Sequence, residues 1–219
     1  MKLRHEWKHT LGPGDLPALR ARLSAVLQPD PHAVDGRYAI RSLYFDTPGD
    51  RALWEKINGV NRREKFRLRY YNGDTGFILL EKKVKQNGLC GKAQSRISHT
   101  TALALLEKRT ACVQDALCQE LCRKMATAGL GPKAIVDYTR EAFLYPPGNV
   151  RVTLDYGLRV ALHCNGFLDP NCLCIPVEAP TILEVKWDGF LPSLIRDLVQ
   201  TPGVRTSAFS KYAACRIYG

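Results

Sequence analysis

The chain has 219 residues and carries 32 Lys+Arg against 21 Asp+Glu, a net charge of +11. With 45% hydrophobic and 24% charged residues it has the composition of a globular domain, which excludes wholesale disorder, and no apolar run approaches the ~20 residues that span a bilayer. The charge excess calls for a polyanionic partner, and the lack of an apolar stretch after Met1 predicts a cytoplasmic chain, read as a single domain over residues 1–219.

The first predicted element is a strand, Arg4–His9, with Arg4, Glu6 and Lys8 on one face and His5, Trp7 and His9 on the other. Asp15 is placed to cap a helix Leu16–Leu27, whose apolar stripe is Leu16, Leu19, Leu23, Val26 and Leu27. A less regular strand, Tyr38–Asp46, sets Tyr44 and Asp46 against Leu43 and Phe45, and a short helix, Asp50–Ile57, follows. In the strand Lys65–Tyr70, Lys65, Arg67 and Arg69 alternate with Phe66, Leu68 and Tyr70. The next strand, Leu80–Lys85, puts Glu81, Lys83 and Lys85 together; Lys92–Ile97 does the same for Lys92, Gln94 and Arg96. Two helices follow, Thr101–Lys108 and Cys112–Ala128, the second closed by Gly129. Val136–Ala142 is a strand that shares one face between Tyr138 and Arg140. After the turn Tyr145-Pro146-Pro147-Gly148, the strand Val150–Asp155 alternates Arg151, Thr153 and Asp155 with Val150, Val152 and Leu154. The strand Ile182–Trp187 places Glu184 and Lys186 opposite Leu183, Val185 and Trp187. A helix, Pro192–Gln200, is entered by proline and left through Thr201-Pro202-Gly203.

Alternation alone describes half-buried strands with one face in water. It does not explain the sign of that face. Arg4, Lys8, Lys65, Arg67, Arg69, Lys83, Lys85, Lys92, Arg96, Arg140, Arg151 and Lys186 are accompanied only by Glu6, Glu81, Asp155 and Glu184. A solvated surface interleaves signs, because like charges on neighbouring strands repel. The pattern predicts an α+β fold: a closed antiparallel eight-stranded β-barrel with a basic interior, its apolar faces turned outward and covered by helices. Cysteine spacing gives no zinc motif, and the thiols read as free packing residues. His5, His9, Trp7 and Trp187 read as packing on the outer face. Glu107-Lys108-Arg109 and Arg123-Lys124 read as solvated helix faces.

Arg4-His5-Glu6-Trp7-Lys8, Leu43-Tyr44-Phe45-Asp46-Thr47-Pro48, Phe66-Arg67-Leu68-Arg69-Tyr70 and Leu80-Glu81-Lys82-Lys83 resemble, in this order, motifs of the CYTH-like triphosphate tunnel metalloenzymes. Tyr138-Thr139-Arg140-Glu141-Ala142-Phe143, Val150-Arg151-Val152-Thr153-Leu154-Asp155, Leu183-Glu184-Val185-Lys186 and Ser210-Lys211-Tyr212 resemble the VTC domain, the catalytic domain of polyphosphate polymerases. The chain leaves no room for the regulatory inositol-phosphate-sensing domain or membrane segments of the eukaryotic enzymes, so it is similar to a stand-alone, bacterial-type member.

The resemblance implies a triphosphate tunnel and transfer of the γ-phosphate of ATP to a growing polyphosphate, with release of ADP and a requirement for Mn2+ or Mg2+. It implies Arg67, Arg69, Lys83, Arg140 and Arg151 as catalytic cations. Lys8, Lys92 or Arg96, Tyr138, Lys186, Ser210 and Lys211 would bind substrate phosphates, with the register between Lys92 and Arg96 left open by the loop around Gln86 to Gly91. Glu184 matches the metal-ligand glutamate; Glu6 and Glu81 share its facing and would bind a second ion or orient cations. Val84 to Gly91 is a candidate mobile loop at the tunnel mouth. Phosphoryl transfer asks for positioning and charge neutralisation rather than a protein nucleophile, which agrees with the lack of any triad. A tunnel-fold tripolyphosphatase or nucleoside triphosphatase is the nearest alternative, disfavoured by Arg4 in the first acidic position of an ExExK start. A non-catalytic polyphosphate-binding module is another. Nucleic acid fits poorly, because Phe66 and Tyr70 lie on the parity opposite the cations.

Overall fold

The computed structural model describes residues 2–109, 114–200 and 205–216. In chain order the elements are β1 (Leu3–Leu11), α1 (Asp15–Val26), β2 (Gln28–Pro29), β3 (Arg37–Asp46), α2 (Arg51–Ile57), β4 (Arg63–Tyr71), β5 (Ile78–Gln86), β6 (Leu89–Ile97), α3 (His99–Leu106) and α4 (Ala116–Ala128). There follow β7 (Gly131–Tyr145), β8 (Val150–Ala161), β9 (Cys174–Pro176), β10 (Thr181–Trp187), α5 (Ser193–Leu198), β11 (Arg205–Thr206) and α6 (Lys211–Arg216). The ring β7-β3-β4-β5-β6-β1-β10-β8 closes through pairing of β8 with β7. These eight strands are those read from alternation, every pairing in the ring is antiparallel, and β2, β9 and β11 are short additions at its margins. No described helix is long and apolar enough to cross a membrane.

The outward faces are apolar, and helices cover them. Leu43, Phe45, Phe66, Leu68, Tyr70, Ile78 and Leu80 are buried with Ala102 and Leu105 of α3 and Cys118 and Leu121 of α4. On the other side Val152, Leu154, Leu183, Val185 and Trp187 pack with Leu19 and Leu23 of α1 and Ile195 of α5. Each fully buried leucine here is worth roughly 1.5–3 kcal/mol relative to exposure. His5 stacks on Trp187, and Trp7 meets Trp187 edge-on at 4.8 Å, so this aromatic group packs on the outside of the barrel as expected.

Local details differ from the sequence reading in four places. Asp15 is the first residue of α1 rather than its cap; its carboxylate accepts the Gly12 N–H at 3.0 Å, and Gly14 precedes the helix. The predicted helix start at Cys112 lies outside the described residues, and α4 begins after Asp115, whose carboxylate accepts the Cys118 N–H at 2.8 Å. Residues 84–91, expected as a mobile loop, are a paired hairpin rather than a loop. β5 and β6 extend through them and meet in a two-residue turn with Asn87 at φ 50° and Gly88 at φ 78°, the positive-φ pair that suits a type I′ hairpin.

The fourth difference concerns the interior. Part of the inward face is apolar: Ile40, Ala134 and Val136 pack with Tyr212 and Cys215 of α6, an element not anticipated. The Tyr212 hydroxyl donates to Asp46 at 2.7 Å, and its ring stacks on Tyr44. The C-terminal segment therefore sits against the inner wall of the barrel. The remaining interior carries the charged side chains.

Candidate functional site in the barrel

Antiparallel register along the β1–β10 seam sets Glu6 opposite Lys186 and Lys8 opposite Glu184. The result is a square of alternating charge. Lys8 Nζ lies 2.8 Å from Glu6 Oε1 and 3.3 Å from Glu184 Oε1, while Lys186 Nζ lies 2.8 Å from Glu184 Oε2 and 3.6 Å from Glu6 Oε2. Burial alone would raise both carboxyls. Lys186 and Lys8, with Lys83 and Arg140, instead hold Glu184 well below the usual carboxylate range. Glu6 is lowered too, against burial and the neighbouring Glu184, by Lys83, Lys8 and Lys186. Glu6 Oε2 has no hydrogen-bond partner despite its burial, since a 3.6 Å approach is too long for one.

β7 and β8 build the adjoining wall. Arg140 grips Asp155 in a fork, Nε at 2.6 Å and Nη2 at 2.7 Å. Lys211, from the start of α6, reaches the same carboxylate at 2.6 Å and rides 4.6 Å above the Tyr138 ring. Burial is outweighed by these two cations, so the Asp155 carboxyl stays far below its ordinary range. Arg140 also lies 3.7 Å from Glu184, linking the two walls.

β4 and β5 supply the third wall. Arg67 binds Glu81 through Nε at 2.6 Å and donates to the Tyr44 hydroxyl at 3.1 Å. Arg69 donates to Ser42 at 3.0 Å and to the Tyr138 hydroxyl at 2.9 Å. Lys65 stands directly across from Lys83, and neither has a paired carboxylate at contact distance among the described residues. Burial, reinforced by Lys186 and Lys8 and only partly offset by Glu6 and Glu184, pushes Lys83 down to about 7. Lys65 is likewise pushed down to about 8 by burial, with Lys8 and Arg67 adding to it against Tyr44. For Tyr44, burial is overcome by Arg67, Lys65 and Arg69, which bring the phenol down to about 7.

One cavity gathers most of the residues singled out from the sequence: Glu6, Lys8, Arg67, Lys83, Tyr138, Arg140, Glu184, Lys186, Ser210 and Lys211 all line it. Five others stand elsewhere. Arg69 and Glu81 are buried behind the lining, Glu81 held by Arg67 and by Lys92 at 2.9 Å. Arg151 turns to Asp30 at 2.8 Å. Arg96 donates to the Gly76 carbonyl at 3.1 Å and covers the Phe77 ring, away from the cavity. Lys92 reaches the interior only through its contact with Glu81. Arg4, whose place in the first strand bears on the hydrolase alternative, points to Asp188 at 2.8 Å and does not line the cavity.

Several lining residues were not assigned a role from the sequence: Tyr44, Lys56, Arg63, Lys65, Lys85, Ser207 and Phe209. Strand parity marks Lys65 and Lys85, which share their faces with Arg67 and Lys83. Lys56 gives no such signal, because the face α2 turns to the barrel mouth is set by packing. Among the described residues no histidine lines the cavity. Among the described residues no group of three His, Cys, Asp or Glu side chains gathers as a ready metal centre. Among the described cysteines, Cys90, Cys118, Cys164, Cys172, Cys174 and Cys215 are free thiols.

Comparison with known proteins bears on the family and the fold. The family model described as the VTC domain matches residues 3–217. A crystal structure from Bacillus halodurans, provisionally assigned as an adenylate cyclase, superimposes with a TM-score of 0.54 at 15% identity, covering 84% of this chain and 80% of that one. The PH1819 protein of Pyrococcus horikoshii OT3 superimposes with a TM-score of 0.52 at 11% identity, covering 98% of this chain and 100% of that one. At these identities the likeness is one of fold. Among curated proteins, none matches at the sequence level.

Proposed function

The chain belongs to the VTC domain family, and from that premise we propose that it is an ATP-dependent polyphosphate polymerase. Family and fold support a function on triphosphate or polyphosphate. The finer assignment rests on one observation: a barrel cavity in which Lys8, Arg67, Lys83, Arg140, Lys186 and Lys211 surround two adjacent carboxylates, Glu6 and Glu184, with no histidine among the described lining residues.

That lining suits transfer from one phosphate to another. The nucleotide's phosphates enter a site where arginines offer planar, paired donors and lysines offer point charges. A terminal oxygen of the polyphosphate attacks the γ-phosphorus, the bond from that phosphorus to the β–γ bridging oxygen breaks, and ADP leaves with the bond's electron pair. Neither a protein nucleophile nor a general base is needed, since the acceptor oxygen is already anionic. Arg140 and Lys211 are preset by Asp155, and Arg67 by Glu81, so their donors need little reorganisation as charge redistributes.

The donor set fits a hard divalent cation, Mn2+ or Mg2+. Glu6 and Glu184 are ionised neighbours and Glu6 Oε2 is an orphaned oxygen, leaving substrate phosphate oxygens to complete the shell. When bound, such an ion would neutralise charge on the phosphates being transferred. The proposal is tested by incubating the protein with ATP and Mn2+. A polyphosphate ladder with ADP supports it, free phosphate without polymer points to the hydrolase, and binding without either product points to a phosphate-polymer-binding module.

A further inference from the structure

A second groove opens beside the cavity, between α2, the C-terminal end of α4 and the outer ends of β4 and β5. It shares Arg63, Lys65 and Lys85 with the cavity, so the two are continuous, and it adds Arg62 and Gln86 beyond the mouth. Register makes this path unusual. Lys65 faces Lys83 and Arg63 faces Lys85 across β4 and β5, two successive like-charge pairs of a kind that destabilises a sheet.

The carboxylates along the groove do not relieve them. Glu55 is held by Arg51 at 2.8 Å, and Glu64 by Lys82 at 3.0 Å and by Lys124. Asp46 accepts the Ala52 N–H at 2.8 Å and the Tyr212 hydroxyl at 2.7 Å. Among the described residues, Lys56, Arg62, Arg63 and Lys85 have no carboxylate at ion-pair distance. Burial lowers the Lys56 ammonium, and Arg63, Lys8 and Lys85 lower it further. The cations at this mouth act on one another rather than on counter-ions.

We propose that this groove is a track for an extended polyphosphate, holding the phosphates that run out of the cavity past the reacting end. The proposal rests on the polyphosphate reading of the cavity. Same-face cations along a strand repeat every ~7 Å, so the ladder suits a flexible linear polyanion that can offer a charge at each step. Arg62 lines the groove and not the cavity that would hold a compact nucleotide triphosphate.

The test compares tripolyphosphate with polyphosphate of several tens of units, by calorimetry at two salt concentrations. The wild type should bind the long chain at least tenfold more tightly per chain, with the steeper salt dependence. Arg62→Glu combined with Gln86→Glu changes only groove residues outside the cavity. This variant should lose roughly fivefold to tenfold in affinity for the long chain, while tripolyphosphate affinity stays within about twofold. Equal per-chain affinity for both ligands, or a long-chain affinity unmoved by the double variant, would overturn the track and leave the cavity reading standing. Failure of either ligand to bind would overturn both. An oligonucleotide of matched charge that competes as well as the long chain would overturn the polyphosphate assignment in favour of nucleic acid.

Discussion

Glu81→Gln is the most informative single perturbation of the barrel. The carboxylate is fully buried, with Arg67 at 2.5 Å and Arg69 at 3.8 Å on one oxygen and Lys92 at 2.9 Å on the other. Against burial, Arg67, Arg69 and Lys92 hold it well below the usual carboxylate range. Glutamine keeps the shape and removes the charge. The Arg67 and Arg69 side chains, 9% and 4% exposed, would then face each other with only the Tyr44 phenol and the hydroxyls of Ser42 and Tyr138 as partners. Lys92, 44% exposed, can turn to solvent, so its share is small. Breaking a buried pair by removing one partner costs about 3–5 kcal/mol. For a chain of this size, each kcal/mol moves the melting temperature by about 2–4 °C, so a fall of roughly 10 °C is expected. The assay is urea and thermal unfolding without phosphate, repeated with tripolyphosphate, which should restore more stability to the variant than it adds to the wild type. Because the folded pKa of Glu81 lies below its unfolded value, its contribution is present above the ordinary carboxyl range and is lost as pH falls below it. The variant's stability should therefore be flatter on the acid side. A loss within about 1 kcal/mol, the range of an average substitution, would refute this reasoning.

Tripolyphosphate should raise the melting temperature of the wild type, less so at high salt, and no shift at saturation would contradict a phosphate-binding cavity. Glu184→Gln should leave tripolyphosphate affinity largely intact while turnover falls about 10²–10³-fold; unchanged turnover at limiting Mn2+ would show that Glu184 only pairs with Lys8 and Lys186. Arg140→Ala should weaken both nucleotide binding and turnover, since its charge acts in ground and transition states alike. Lys83 is lowered to about 7 in the free protein, so anion binding between there and the ordinary lysine range should take up a proton, and affinity should fall as pH rises through that window. Calorimetry in buffers of different ionisation enthalpy checks this against Lys83→Met, which should lack that uptake; identical proton counts in the two proteins would contradict it.

Parity made the barrel legible. Alternation in Lys65–Tyr70 or Ile182–Trp187 separates a charged face from an apolar one, and Lys65, Arg67, Glu184 and Lys186 of the charged faces line the cavity. Parity does not give depth: Arg96 and Arg151 lie on charged faces of their strands, yet bind Gly76 and Asp30, away from the cavity. Nor does it give pairing, so Asp155 was visible as an inward acid without its role as the seat of Arg140 and Lys211. The Asn87-Gly88 dipeptide carried a hairpin signal that a reading centred on charge passed over. α6 was hidden for a different reason. It has six residues, too few for a helical period, and its place is set by Tyr212 and Cys215 meeting aliphatic residues distant in sequence.

The central claim is transfer of phosphate to phosphate within the barrel. Phosphorus NMR of the purified protein with ATP and Mn2+ tests it most directly, because terminal, internal and free phosphates are resolved in one time course. The expected result is growth of an internal polyphosphate signal in step with ADP, absent from Arg140→Ala. Accumulation of free phosphate in step with ADP, with no internal signal, would contradict it.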